Sequence, residues 1–163
     1  MAGPVKAIPD GYHTATPYLV VHDAAKAIDF YKRAFDATEL FRMEGPPGKI
    51  GHAELQIGDS KIMLADEMGG GARSPKSVGG ATGGIFLYVK DVDSAFNKAV
   101  SAGAKVEMAL ADQFWGDRYG KLSDPFGHSW SLATHKEDVA PEEMKKRMQV
   151  AMAKMSEKAK TAI

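Results

Sequence analysis

An internal repeat constrains this chain more than any other feature of its sequence. The segment 18–23 (YLVVHD) is matched 68 residues later by 86–91 (FLYVKD). At the same offset, and without a gap, 62–65 (IMLA) is matched by 130–133 (WSLA). Identities are few, but hydrophobic character recurs in register at two separated places. This recurrence indicates a duplicated module of about 50 to 55 residues.

Each module has the pattern of a strand, a helix and a meander of strands. Short, apolar, β-branched segments open the modules at 17–21 and 85–89. Asp23 and Asp91 follow as candidate helix N-caps, and Gly103 as the stop of the second helix. In the first module, Asp59 and Ser60 are the candidate turn of a hairpin. The segment 124–128 (DPFGH) predicts the corresponding turn in the second module.

Alternation along the first hairpin predicts which side chains share a face of the sheet. One face is apolar and should carry the helix, and its members are Ala53, Leu55, Ile57, Ile62 and Leu64. The second face holds His52, Glu54, Gln56, Met63 and Ala65. The 68-residue offset then predicts the equivalent second face of the other module, with Arg118, Gly120, Leu122, Ser131 and Ala133. Trp130 shares its parity with Leu132 and should therefore pack in the core beneath a helix.

The chain divides into four segments. The modules span 12–66 and 84–136, a glycine-rich linker spans 67–83, and a C-terminal helix spans 140–160. The linker carries no GxxxxGK[ST] pattern, so a linker is favoured over a phosphate-binding loop. Methionines recur along the C-terminal helix at Met144, Met148, Met152 and Met155. Such a stripe predicts docking on the body or on a second subunit, or contact with another protein or a membrane.

Composition narrows the classes of partner. The 21 Lys and Arg residues balance 21 Asp and Glu residues, so no net charge draws the chain to nucleic acid or to anionic lipid. No apolar run approaches the roughly 20 residues that span a bilayer. The absence of cysteine excludes a disulfide scaffold, a thiolate metal site and a thiol nucleophile, and it fits a cytoplasmic protein.

The repeated module, with 21–31 (VHDAAKAIDFY) opening one copy and 124–128 closing the other, resembles the vicinal oxygen chelate superfamily. That superfamily contains glyoxalase I, extradiol dioxygenases, fosfomycin-resistance enzymes and bleomycin-binding proteins. The segments 114–120 (FWGDRYG) and 133–135 (ATH) are similar to its PhnB-like branch. The resemblance covers roughly residues 12–136. It implies an α+β fold whose curved mixed sheets enclose a cavity, with helices outside, and a homodimer formed by side-by-side packing or by exchange of modules.

The same resemblance implies where a metal would bind. Metal-dependent members carry His or Glu ligands on the first and last strands of each module, which correspond here to Thr16, Met63, Gly84 and Ser131. A divalent ion needs several converging nitrogen or anionic oxygen donors. These four residues supply none, so we expect no metal at these positions and no cofactor.

Two residues are candidates for acid/base chemistry. His52 and Glu54 lie two positions apart on one strand face, about 7 Å from each other. Such a pair could transfer protons or supply two metal ligands. The alternative is a polar pair in a hydrated cavity, or a salt bridge from the carboxylate to Arg118 across that cavity.

Aromatic residues are the candidates for ligand contact. Tyr18, Phe86 and Tyr88 share the parity of the second faces, and Trp115 lies in the segment 114–120 at the expected cavity mouth. They could stack a planar ligand or simply fill the interior. Arg118 could bind an anionic group, or else pair with Glu54 or Asp117. Gln56 and Ser131 complete the predicted lining.

These features favour a glyoxalase/bleomycin resistance-like protein that binds a small organic molecule in an aromatic cavity, without the usual metal ligands. The alternative is an enzyme of the same superfamily, a lyase, isomerase or dioxygenase-like protein, that uses His52 and Glu54 with or without an unconventionally placed divalent ion. In a third hypothesis the cavity is vestigial and the C-terminal helix serves assembly.

Overall fold

The computed structural model describes residues 5–161, with side chains as far as residue 157. The described chain forms two four-stranded mixed sheets and four helices, which confirms the predicted α+β class. Strands and helices follow the order β1 (Tyr18–Val21), α1 (Ala24–Phe35), β2 (Thr38–Glu44), β3 (Ile50–Ile57), β4 (Ser60–Asp66), α2 (Pro75–Val78), β5 (Gly84–Tyr88), α3 (Val92–Ala102), β6 (Lys105–Asp112), β7 (Asp117–Ser123), β8 (Ser129–His135) and α4 (Pro141–Thr161).

Both sheets have the same topology. The strand orders are β1-β4-β3-β2 in the first sheet and β5-β8-β7-β6 in the second. The first strand of each module pairs in parallel with the last, and the other neighbours are antiparallel. No helix within residues 5–161 combines the length and the hydrophobicity that crossing a bilayer requires.

Helices α1 and α3 begin where the sequence predicts. The side chains of Asp23 and Asp91 each accept a hydrogen bond of 3.1 Å from a backbone amide three residues on, and so cap α1 and α3. Gly103 ends α3 with a φ of 118°, in the left-handed region that glycine adopts without strain. The first helix ends instead at Asp36, with a φ of 53°.

The core lies between the helices and the sheets. The predicted apolar face of β3 and β4 is buried, and α1 packs against α3, so the two modules share one core. Trp130 is fully buried, as predicted. A buried carboxylate joins the modules, because Asp124 of the second accepts bonds from the Tyr31 hydroxyl of the first at 2.8 Å and from the Trp130 indole at 2.9 Å.

The first hairpin differs slightly from its prediction. Its turn consists of Gly58 and Asp59, because Ile57 pairs with Ser60. The predicted turn of Asp59 and Ser60 is therefore wrong. The register moves by two residues, and since side chains alternate with a period of two, the predicted faces of β3 and β4 are unchanged.

The second module is offset from the first by 68 residues at its ends but by 67 in between. The N-caps Asp23 and Asp91 are 68 positions apart, whereas the C-caps Asp36 and Gly103 are 67 apart, because α1 has 12 residues and α3 has 11. The turn between β7 and β8 is one residue longer than its counterpart and restores the offset.

This one-residue difference reverses the predicted faces of β7. A Cβ atom on Gly120 would lie 2.6 Å from the Phe96 ring of α3, Leu122 is fully buried, and Arg118 pairs with Asp93 of α3. Arg118, Gly120 and Leu122 therefore face the helix. Their predicted place on the second face is wrong. A slip of one residue turns every side chain of a strand to the other side of the sheet.

The glycine-rich segment between the modules is ordered around one carboxylate. Glu67 accepts hydrogen bonds from the Ser74 amide at 2.8 Å and from the Ser77 hydroxyl at 2.6 Å, at the start of α2. These bonds lower the pKa of Glu67 to about 2. The Ser74 side chain is fully buried, so the segment packs on the modules through this turn.

Candidate functional site

The second faces of both sheets are open. The contacts between the modules run through α1 and α3, on the opposite side. On the second faces, Tyr18 is 50 % exposed, Phe86 46 % and Tyr88 65 %. The predicted ligand-contacting residues consequently fall on two sheets, and α4 accompanies only the second.

A groove of about 1150 Å³ lies between the second face of the second sheet and α4. Its floor is aromatic. The Phe86 ring lies 4.9 Å from Tyr88 and stacks on Tyr119 at 5.7 Å, and the Trp115 ring meets Tyr119 edge-on at 5.8 Å. The facing side chains come from α4 and are Glu143, Lys146, Arg147, Val150, Ala151, Lys154 and Met155.

A buried carboxylate organises this floor. Asp117 is 3 % exposed, and its Oδ2 accepts hydrogen bonds from the Tyr88 hydroxyl at 2.9 Å and the Trp115 indole at 3.0 Å. Its Oδ1 lies 2.7 Å from His135 Nδ1, and His135 Nε2 lies 2.9 Å from Asp138. Burial raises the pKa of Asp117, but the bonds from His135, Tyr88 and Trp115 outweigh it, so the pKa is lowered. The bonds to Asp117 and Asp138 raise the pKa of His135.

This cluster is not among the predicted site residues, although it lies in two segments that the superfamily resemblance drew attention to. Asp117 lies in 114–120 and His135 in 133–135, and the two residues are register partners on β7 and β8. A correct offset for β7 would have placed Asp117 on the second face beside Tyr88. The missed signal was therefore the hairpin register.

The loop before β7 also positions α4. Gly116 accepts two backbone bonds, from Lys136 at 2.9 Å and Glu137 at 3.0 Å. Its φ is 99°, and a Cβ atom would lie 2.1 Å from the Glu137 carbonyl oxygen, so only glycine allows this approach. Glu137 then holds Arg147 of α4 through two bonds of 2.8 Å. The helix is thereby fixed at its N-terminal half over the groove.

The methionine stripe does not dock on the body. Met148 is 38 % exposed, Met152 61 % and Met155 72 %. Within the described chain, only Met144 of the stripe is partly buried. Among the described residues, the face of α4 that carries Met148 and Met152 is therefore exposed.

His52 and Glu54 meet on the first sheet. His52 Nε2 lies 3.4 Å from Glu54 Oε1, and the Tyr18 hydroxyl lies 3.1 Å from His52 Nδ1. The Tyr12 hydroxyl donates a hydrogen bond to Glu54 Oε2, which lowers the pKa of Glu54. Burial, together with the Glu54 carboxylate, raises the pKa of Tyr12 to about 12. The alternative in which Glu54 pairs with Arg118 is wrong.

The other three residues predicted to contact a ligand, Arg118, Gln56 and Ser131, do not line the groove. Arg118 binds Asp93 through two bonds of 2.7 Å on the helix side of the sheet, so its predicted place in the lining is wrong. Gln56 donates to the backbone of its own turn at 2.8 Å. Ser131 shares a hydrogen bond of 3.0 Å with Tyr119, at the edge of the groove floor.

The four positions that correspond to metal ligands do not fit a divalent ion. Thr16 lies before β1, and Met63, Gly84 and Ser131 lie on β4, β5 and β8. A thioether and a glycine offer nothing to a hard cation. Within residues 5–161, no group of three or more His, Asp or Glu side chains could hold a metal ion. These four positions therefore do not form a metal site.

The fold and the sequence both match known proteins. The family model of the Glyoxalase/Bleomycin resistance protein/Dioxygenase superfamily matches residues 12–132. The chain belongs to this superfamily. One relative, protein Rv0887c of Mycobacterium tuberculosis, is 50 % identical over 137 residues, which are 82 % of this chain and 81 % of that protein.

Two solved structures share the fold. The At5g48480 gene product of Arabidopsis thaliana is 29 % identical, with a TM-score of 0.62 over 75 % of this chain and 98 % of that one. The PhnB protein of Bacillus cereus is 18 % identical, with a TM-score of 0.58 over 75 % of this chain and 99 % of that one. The latter likeness concerns the fold alone.

Proposed function

We propose that this chain binds a small organic molecule with an aromatic ring in the groove between the second sheet and α4, and acts by sequestration or sensing. The stacked floor of Phe86, Tyr88, Trp115 and Tyr119 carries this proposal. Aromatic side chains offer rigid, apolar stacking surface at low entropic cost. Since Asp117 holds Tyr88 and Trp115 by their polar atoms, their ring faces are preorganised for a ligand.

Trp115 makes this proposal measurable. We would titrate the intact protein with naphthalene derivatives and follow intrinsic fluorescence and heat of binding. Phe86→Ala removes a floor ring and should weaken binding by about tenfold or more, since one buried aromatic contributes over 1 kcal/mol. Phe41→Ala is the matched control, because Phe41 is similarly exposed but lies on the first sheet. Equal affinity of the Phe86 variant and the wild type would contradict the proposed site.

We further propose that the protein is a homodimer. Superfamily members are often dimeric, and the second face of the first sheet exposes Phe41 and Met43 at 50 % and 52 %. A second copy that covers this face would remove apolar surface from water. Sedimentation velocity should show a dimer for the wild type and a monomer for Phe41→Lys. A wild-type monomer at high protein concentration would refute this assembly.

A proton-transfer enzyme is the second candidate. It is favoured by the contact between His52 and Glu54 and by the accessibility of both side chains, which are 21 % and 25 % exposed. The bond from Tyr12 lowers the pKa of Glu54. His52, which lies 3.4 Å from that carboxylate, would be the residue that exchanges protons. In substrate screens, His52→Ala should abolish turnover while ligand affinity in the groove stays unchanged. Turnover that survives this substitution would exclude the second candidate.

A further inference from the structure

Three acidic and three basic side chains line the groove, and within the described residues two of the basic ones have no acidic partner. Each acid that lines it is already bound to a basic side chain of this chain. These pairs are Asp112 with Arg118 at 3.3 Å, Asp117 with His135 at 2.7 Å and Glu143 with Arg147 at 2.9 Å. Lys146 and Lys154 also line the groove, and within the described residues neither forms a salt bridge.

The two lysines lie on one side of α4. They are eight positions apart with Val150 midway, so they follow the same face over two turns, about 12 Å along the helix axis. That face lines the groove opposite the aromatic floor. Both lysines therefore line the same groove as the aromatic floor.

We propose that the ligand of this groove is an aromatic anion, whose ring stacks on the floor and whose anionic oxygen group, a carboxylate or a phosphate, binds Lys146 or Lys154. This inference rests on the proposed binding function and adds the charge of the ligand. An ammonium group is a compact point charge with three donors, which suits either oxygen group. Arg118, the residue that the sequence suggested for an anion, is bound to Asp93 on the other side of the sheet.

Isothermal titration calorimetry with three probes of one ring size tests the proposal. The probes are 2-naphthoate, 2-naphthyl phosphate and the neutral 2-naphthamide, each titrated into the full chain at low ionic strength. We expect at least one anion to bind about five- to tenfold more tightly than the amide, as for a partly exposed charge pair. Preference for either anion supports the proposal and identifies the oxygen group. The preference should shrink as salt is added.

Substitutions then assign the charge to these lysines. The double variant Lys146→Gln with Lys154→Gln should bind the anion and the amide equally, with amide affinity unchanged. Lys145→Gln is the matched control, because Lys145 is an exposed lysine of the same helix outside the groove lining. It should retain most of the preference. All three side chains are exposed, so circular dichroism should show the wild-type fold.

The outcomes separate this inference from the proposed function. If the amide binds as tightly as both anions, or if the double variant keeps the preference, the anion proposal is overturned while binding in the groove stands. If Lys145→Gln loses the preference as fully as the double variant, the overall positive charge of the helix explains the preference, and the proposal fails. If neither the anions nor the amide bind, both the groove function and this inference are refuted.

Discussion

Asp117→Asn tests whether a buried carboxylate organises the floor of the groove. The amide can keep one oxygen toward Tyr88 and Trp115, so both donors retain an acceptor. Each bond changes from charge-assisted to neutral, which removes about 1 kcal/mol per bond. The contact with His135 becomes a bond to a neutral amide. We therefore expect a loss of about 2 kcal/mol in the free energy of unfolding from the two floor bonds.

The pH dependence of this loss has a definite sign. Asp117 has a lowered pKa, so its stabilising contribution is present above the ordinary value of 3.8 and is lost as the pH falls through the folded-state pKa. His135 has a raised pKa, so its contribution is complete below the ordinary value of 6.5 and is lost as the pH rises through its folded-state pKa. The difference in the free energy of unfolding between the wild type and the variant should be largest at about pH 5 to 6 and smaller at alkaline pH.

Two measurements check this reasoning. Urea unfolding at acidic and alkaline pH gives the stability difference, and an NMR titration gives the pKa of His135, which should fall toward 6.5 in the variant. Asp112→Asn is the matched control, since Asp112 is 79 % exposed and should change stability by less than about 0.5 kcal/mol. Wild-type stability of Asp117→Asn near pH 6, or an unchanged pKa of His135, would refute the reasoning.

Two further substitutions and one truncation probe other parts of the fold. Tyr31→Phe removes the hydroxyl that joins the modules at Asp124, and urea unfolding should show a loss of about 1.5 kcal/mol. Gly120→Ala places a methyl group 2.6 Å from the Phe96 ring and should cost about 1 to 3 kcal/mol by thermal unfolding; wild-type stability would contradict this packing. A chain ending at Ala140 should keep both sheets by circular dichroism but bind naphthoate weakly, and undiminished affinity would exclude α4 from the site.

Most of the secondary structure could be predicted because its causes are local. Asp23 and Asp91 cap helices through amides three residues away, and the alternation along β3 and β4 follows from the geometry of a single strand. The repeat added information about distant segments, since it matched the first strand of one module to the first strand of the other, and the last to the last. Parity with Leu132 predicted that Trp130 lies in the core, where it is fully buried.

The candidate site was predicted only in part, because the two modules differ by one residue in the length of their helices. Since α3 is one residue shorter than α1, the offset of 68 fails for β6 and β7. Arg118 was consequently placed on the wrong face and Asp117 was overlooked. The aromatic residues Phe86 and Tyr88 were placed correctly, because their strand lies before the shortened helix.

By itself, the sequence determined the duplicated α+β architecture, the starts of α1 and α3, the end of α3 and the buried face of β3 and β4. It also gave the residue types at the four positions that the superfamily resemblance matches to metal ligands. Only the tertiary structure decided which side of β7 faces solvent, that Asp117 meets His135, and that α4 closes a groove over the second sheet. Those features depend on the pairing of distant strands and on a helix anchored by Glu137 and Arg147. Local periodicity does not encode such contacts, and a strand period of two reverses every face after a change of one residue.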